Sequence, residues 1–164
     1  MQAEGYGPLD PQKRSLPLAP PTTRTRIYRG SRDNLGACIV TVHECGVTRV
    51  LDARYELRRH SPDGFNWGYC GSGPAQLALA LLANATGDDI TAQVWYQVFK
   101  ARFVSRFRSD VWDLSAVDVL AALAELIPDH PELVAREADE REAEAQIREY
   151  LREERSADAA RRDV

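Results

Sequence analysis

Residues 60–82 read HSPDGFNWGYCGSGPAQLALALL. This single run holds a Pro-Gly turn, three aromatics, a Gly-rich loop and the start of an apolar helix. Pro62 at the second and Gly64 at the fourth position of a four-residue stretch is a type I turn signature. Pro74 suits a first helical turn, where its missing N–H would have no partner anyway. Leu77, Leu79, Leu81 and Leu82 make the following helix apolar nearly all round, so it is read as a buried central helix stopping near Thr86-Gly87. A plain connector needs no such combination, and neither does a plain core helix. A built site is expected here.

Upstream, residues 27–29 form a short strand. Residues 37–44 (ACIVTVHE) are rich in β-branched side chains and bounded by Gly36 and Gly46, a second strand. Residues 47–57 alternate in part and give a third. The Glu44-Cys45-Gly46 connection is short enough for a hairpin. The expected sheet is therefore small and antiparallel, with about three strands. Downstream, Asp88 or Asp89 caps a helix over 90–106. Ser115 with Asp118 makes a capping box for another over 116–127, which Pro128 ends. Pro131 opens a last helix running to about residue 156. Its Glu132–Arg136, Glu137–Arg141 and Glu144–Arg148 pairs stand four residues apart, each worth ~0.2–0.5 kcal/mol. The fold class is α+β: the sheet packed on the buried helix, further helices, and a long charged C-terminal helix.

The domain division follows composition. Residues 1–25 hold five of the nine prolines and read as a disordered arm. Residues 26–130 form the α+β core, and residues 131–164 a charged helix frayed at its end. Net charge is −4 over 164 residues, unevenly spread: +3 in 1–34, −1 in 35–124 and −6 in 125–164. No apolar run approaches the roughly 20 residues of a membrane span. The N-terminus has no apolar signal-peptide core. A cytoplasmic protein is expected. Cys38, Cys45 and Cys70 are read as free thiols, with no metal site and no cofactor.

The candidate ligand-binding residues are His60, Trp67, Gly71, Ser72, Gly73 and Gln76. If Pro74 is the first helical residue, Gly73 is a cap with no side-chain acceptor. The amides of Ala75 and Gln76 then offer an anion pocket at the helix N-terminus. Against this stand two local readings: Ser72 caps the helix, or Gln76 reaches back. Phe65, Trp67 and Tyr69 alternate, so they either plug the core or form a stacking platform. His60 is an acid–base candidate or a turn-bound ring. Cys70, just before the helix, is weighed as a nucleophile paired with His60. No complete catalytic set emerges. Trp95, Val98, Phe99, Arg102, Phe103 and Arg106, with Tyr96 and Lys100 adjoining, form either a core stripe with a basic edge or a surface facing nucleic acid. Arg14, Arg24, Arg26, Arg29 and Arg32 would add phosphate contacts.

The same stretch, with GDD at 87–89, YQVFKARFV at 96–104 and WDLSAVDV at 112–119, resembles a family of small prokaryotic and viral proteins of unknown function. The likeness spans about residues 26–122. Members share an HSPxGFxWGYxGSGPAQLALA signature, open on a short strand like IYRG, and usually carry Gly where this chain has Cys70. The resemblance implies membership and no activity. Chemistry resting on Cys70 would be private to this chain.

Three functional readings follow. The first is a non-enzymatic binding or accessory protein of a prokaryote or its virus, located in host cytoplasm or virion, with its site at residues 60–76 and a small anionic ligand. The second is an enzyme acting on a phosphorylated or nucleotide-like substrate. The third is a structural or assembly protein anchored by its arm and last helix. A partner protein or a second copy is expected on that helix, where Ile147, Tyr150 and Leu151 make an apolar patch.

Overall fold

The computed structural model describes residues 26–162. The Pro-rich arm lies outside the described residues. The elements run β1 (Ile27–Arg32), β2 (Cys38–Glu44), β3 (Val47–Val50), α1 (Ser72–Thr86), α2 (Asp89–Arg102), β4 (Val111–Ser115), α3 (Ala116–Leu126) and α4 (Pro131–Arg162). All strand pairings are antiparallel, in the order β3-β2-β1-β4. The fold is α+β with a long C-terminal helix, as expected. The sheet has a fourth strand that the sequence reading lacked, and β3 stops at Val50 rather than continuing towards Leu57.

The β2–β3 hairpin turns on Cys45 and Gly46, both with positive φ (53° and 79°). That is the backbone of a type I′ turn, whose twist matches that of the strands it joins. Past Leu51 the chain leaves the sheet because Arg54 also takes positive φ, with its amide bound to the Asp52 carboxylate at 2.9 Å. A side chain thus supplies the partner that a ladder would have given.

One face of the sheet carries Tyr28, Gly30, Val40, Val42 and Trp112 into the core. Gly30 stands opposite Trp112 in the register, and a Cβ on Gly30 would fall 2.2 Å from the indole ring. The ring therefore lies across the Gly30 backbone, and no larger residue fits. α1 packs beneath, buried at every position from Gly73 to Ala83. It ends where Gly87 takes the left-handed conformation and its N–H reaches Ala83 O at 3.0 Å. α2 and α3 pack on α1.

α2 begins as expected, with Asp88 accepting from the Thr91 amide. It ends at Arg102, not Arg106, because Phe103 turns into a short 3-10 helix that buries Val104. The Ser115/Asp118 capping box is formed in both directions. α4 docks only by its first turns. The Glu137 carboxylate accepts from Thr91 Oγ1 and Trp95 Nε1, each at 2.7 Å. Arg141 reaches Asp88 at 2.7 Å and Glu137 at 2.6 Å. Burial raises the Glu137 pKa, but these bonds outweigh it and hold the carboxyl below its ordinary value. Two of the three expected α4 pairs form; Glu132 instead meets His130, and Arg136 meets Glu140. No helix among the described residues is long and apolar enough to cross a membrane.

Candidate functional site

The loop between β3 and α1 is held from inside by Gln76. This side chain is fully buried. Its Oε1 accepts from the His60 amide at 2.7 Å and the Ser61 amide at 3.4 Å. Its Nε2 donates to Ala53 O at 2.5 Å and Arg58 O at 3.1 Å. One amide thus satisfies four backbone groups in a stretch that has no ladder of its own. Gln76 does not reach back to cap its own helix; it holds the preceding loop and has no donor left for a ligand.

The helix N-terminus differs from the expectation. The cap is Gly71, not Gly73, and Pro74 sits in the first turn but at its third position. The Ala75 amide is bonded to Gly71 O at 3.1 Å, and Ala75 and Gln76 are buried. Those two amides face no concavity. Ser72 is exposed and gives no capping bond. The glycines admit the protein's own side chains. A Cβ on Gly71 would lie 2.3 Å from the Tyr69 ring, and one on Gly73 would lie 2.6 Å from Asn66 Cβ. A phosphate is not required to explain either residue.

Phe65 and Trp67 plug the core, whereas Tyr69 stays 47% exposed with its ring against Gly71. The alternation of the three aromatics therefore splits two to one between core and surface. Trp67 Nε1 donates to Ser109 O at 2.9 Å, and its ring meets Trp112 edge-on at 5.5 Å. Arg32 lies over the Trp67 ring at 4.7 Å. It donates to Asn66 Oδ1 at 2.7 Å, Trp67 O at 2.9 Å and Asp110 at 3.0 Å. One arginine thus ties the end of β1 to the loop and to the approach of β4.

Between these groups lies a shallow cleft of about 470 Å³, lined by Arg32, Asn66, Trp67, Gly68, Tyr69 and Arg108, among others. Arg108 is exposed and makes no ion pair among the described residues. The sequence reading placed Arg32 with a phosphate-binding arm and did not single out Arg108. A cation in an Arg-Phe-Arg run after a helix carries no signal until the chain folds it beside Tyr69. Arg26 and Arg29 of the same supposed arm are drawn off by Glu44 and Asp113, with Arg29 meeting both carboxylate oxygens at 2.7 Å. Arg14 and Arg24 lie outside the described residues.

His60 packs on Tyr96 with ring centroids 4.9 Å apart. Its Nε2 is buried and meets no hydrogen-bond partner among the described residues. Burial pushes its pKa down, and the nearby Arg58 and Lys100 add to this. Cys70 is exposed and no bond joins it to His60. On α2, Trp95, Tyr96, Phe99 and Phe103 are core residues. Among the described residues, no three His, Cys, Asp or Glu side chains gather as a metal site.

No curated protein and no solved structure matches this chain. Residues 28–125 match a family of unknown function, DUF6166; they span all four strands and reach into α3, and the chain belongs to that family.

Proposed function

We propose that the protein is a non-enzymatic binding or accessory protein whose site is the cleft between Tyr69, Asn66, Arg32 and Arg108. Arg108 carries this reading. It is an exposed guanidinium with no carboxylate partner among the described residues, on the rim of a cleft floored by Trp67. Arg32 is largely neutralised by Asp110, so the net positive charge of the cleft rests on Arg108. The ligand is accordingly anionic. The site keeps Trp67 from the sequence-derived set, adds Arg32, Asn66, Tyr69 and Arg108, and gives His60, Gly71, Gly73 and Gln76 the task of shaping the loop. Ser72 remains an exposed neighbour. The resemblance noted above supports a prokaryotic or viral setting, in host cytoplasm or virion.

The test is amide chemical-shift mapping with inorganic phosphate and with a nucleoside monophosphate. Shifts at Gly68, Tyr69 and Arg108 that weaken in Arg108→Gln support the reading. Shifts elsewhere alone, or none, refute it.

A second reading, assembly through α4, is favoured by one observation. Every described side chain beyond Arg141 is exposed, including Ile147 (61%) and Tyr150 (58%). An unpartnered apolar patch on a projecting helix is a common seat for another chain.

A further inference from the structure

We infer that the cleft is one end of a track for single-stranded nucleic acid, running from Arg108 and Tyr69 past Lys100 to Arg58. This rests on the cleft reading above and names its ligand class.

The first ground is the placing of unpaired charge. Apart from Arg155, every described arginine or lysine side chain without a carboxylate partner falls at 58–59 or 100–108. Residues 90–109 contain no Asp or Glu at all, against Lys100, Arg102, Arg106 and Arg108. In a chain of net charge −4, this segment thus carries four cations and no acid of its own.

The second ground is connectivity. Arg58 donates to Tyr96 Oη at 3.0 Å, and His60 stacks on the same ring. Lys100 stands one helical turn after Tyr96 and close enough to His60 to depress its protonation. One turn further on, Val104 O accepts from the Gly68 amide at 3.1 Å, next to Tyr69 and the cleft. Arg58 and Lys100 thus flank Tyr96, and the chain that follows α2 is bonded to the loop beside the cleft.

The third ground is aromatic. Tyr69 is exposed and backed by Gly71, so a flat ring is held firmly at one end of the track. At the other end Arg59 lies 5.4 Å over the ring of Tyr55, itself 41% exposed. Cations that follow a backbone, with aromatic rings on which bases stack, are the two parts of a single-strand site. A duplex keeps its base faces stacked and cannot use Tyr69. An acidic protein surface has no need of it.

The experiment is fluorescence anisotropy of the full chain with a labelled 20-mer of single-stranded DNA or RNA. Three phosphate contacts, to Arg58, Lys100 and Arg108, give a log–log salt slope of about −2, so affinity falls roughly 20-fold between 50 and 200 mM salt. Arg108→Gln and Lys100→Gln should each reduce the slope by about 0.7. Tyr69→Leu keeps bulk over Gly71 but should weaken binding about fivefold or more, whereas Tyr69→Phe should retain it. Circular dichroism melts establish that each variant is folded. Tighter binding of a matching duplex, equal displacement by polyglutamate, or indifference to Tyr69→Leu overturns the inference. If strands fail to bind while phosphate still shifts the Gly68 and Arg108 amides, the track falls and the anion cleft stands. If neither ligand acts there, both fall.

Discussion

Replacing Gln76 with Met tests how the loop is held. Met matches the length and volume of Gln but offers no amide, so the substitution isolates the hydrogen bonds from the cavity term. It leaves the His60 amide, Ala53 O and Arg58 O without their close partners, and the Ser61 amide without its longer one. Each buried backbone group stripped of its partner costs ~1–3 kcal/mol. Arg58 is exposed and Ala53 and His60 are half-buried, so water can reclaim part of this. A total of about 3–4 kcal/mol follows from the lower end of that range. For a domain of this size the melting temperature should fall by roughly 6–16 °C. Thermal and urea denaturation followed by circular dichroism measure it, and native-state hydrogen exchange should show faster exchange of the His60 amide. Stability within 1 kcal/mol of the parent with unchanged His60 protection would refute the reasoning. It would mean that the loop is held by Trp67, Phe65 and Arg32 alone.

Gly73→Asp should destabilise the chain before it affects any ligand, because its Cβ would fall 2.6 Å from Asn66 Cβ; a melt unchanged within 2 °C would contradict the packing. His60 should make stability depend on pH. Its native pKa lies below the ordinary 6.5, so the unfolded chain binds the proton first. Stability should therefore fall as pH drops below about 6.5, then level once the native ring also protonates. His60→Gln should flatten that segment of the urea-denaturation profile. Truncation after Glu142 should leave the melting temperature nearly unchanged and lower any self-association seen by light scattering. Truncation before Glu137 should cost several degrees, because Trp95 Nε1 and Thr91 Oγ1 lose their acceptor. Equal effects of the two truncations would contradict the docking described for α4.

The fourth strand is the element least legible in the sequence. Residues 111–115 alternate exposed and buried as far as Asp113, but five residues give too short a period to separate from a loop. Only pairing with β1 makes Val111–Ser115 a strand. The end of α2 is hard to read from the sequence for a similar reason. The apolar spacing of Phe99, Phe103 and Phe107 continues past the helix, and it is packing that turns the backbone at Phe103. The glycine loop is legible in the sequence only as a segment. Gly-Ser-Gly before an apolar helix has the same appearance whether a phosphate or a tyrosine ring approaches it.

Local chemistry in the sequence determined the pieces that need no distant partner. These are the positive-φ hairpin at Cys45-Gly46, the Asp88 cap, the Ser115/Asp118 capping box, the helix stop at Gly87 and the largely apolar α1. Each rests on bonds or periodicities within a few residues. Tertiary structure alone decided which glycines serve close approach, which aromatic stays exposed, and which arginines remain without a carboxylate. Several of those outcomes depend on contacts between residues 35 or more apart, such as Arg32 with Trp67, Trp67 with Ser109, and Arg29 with Asp113, and even the near pairs Gly71 with Tyr69 and Gly73 with Asn66 meet only once the loop is folded. Charge is written in the sequence. Whether a charge is neutralised is settled only when the fold brings its neighbours together.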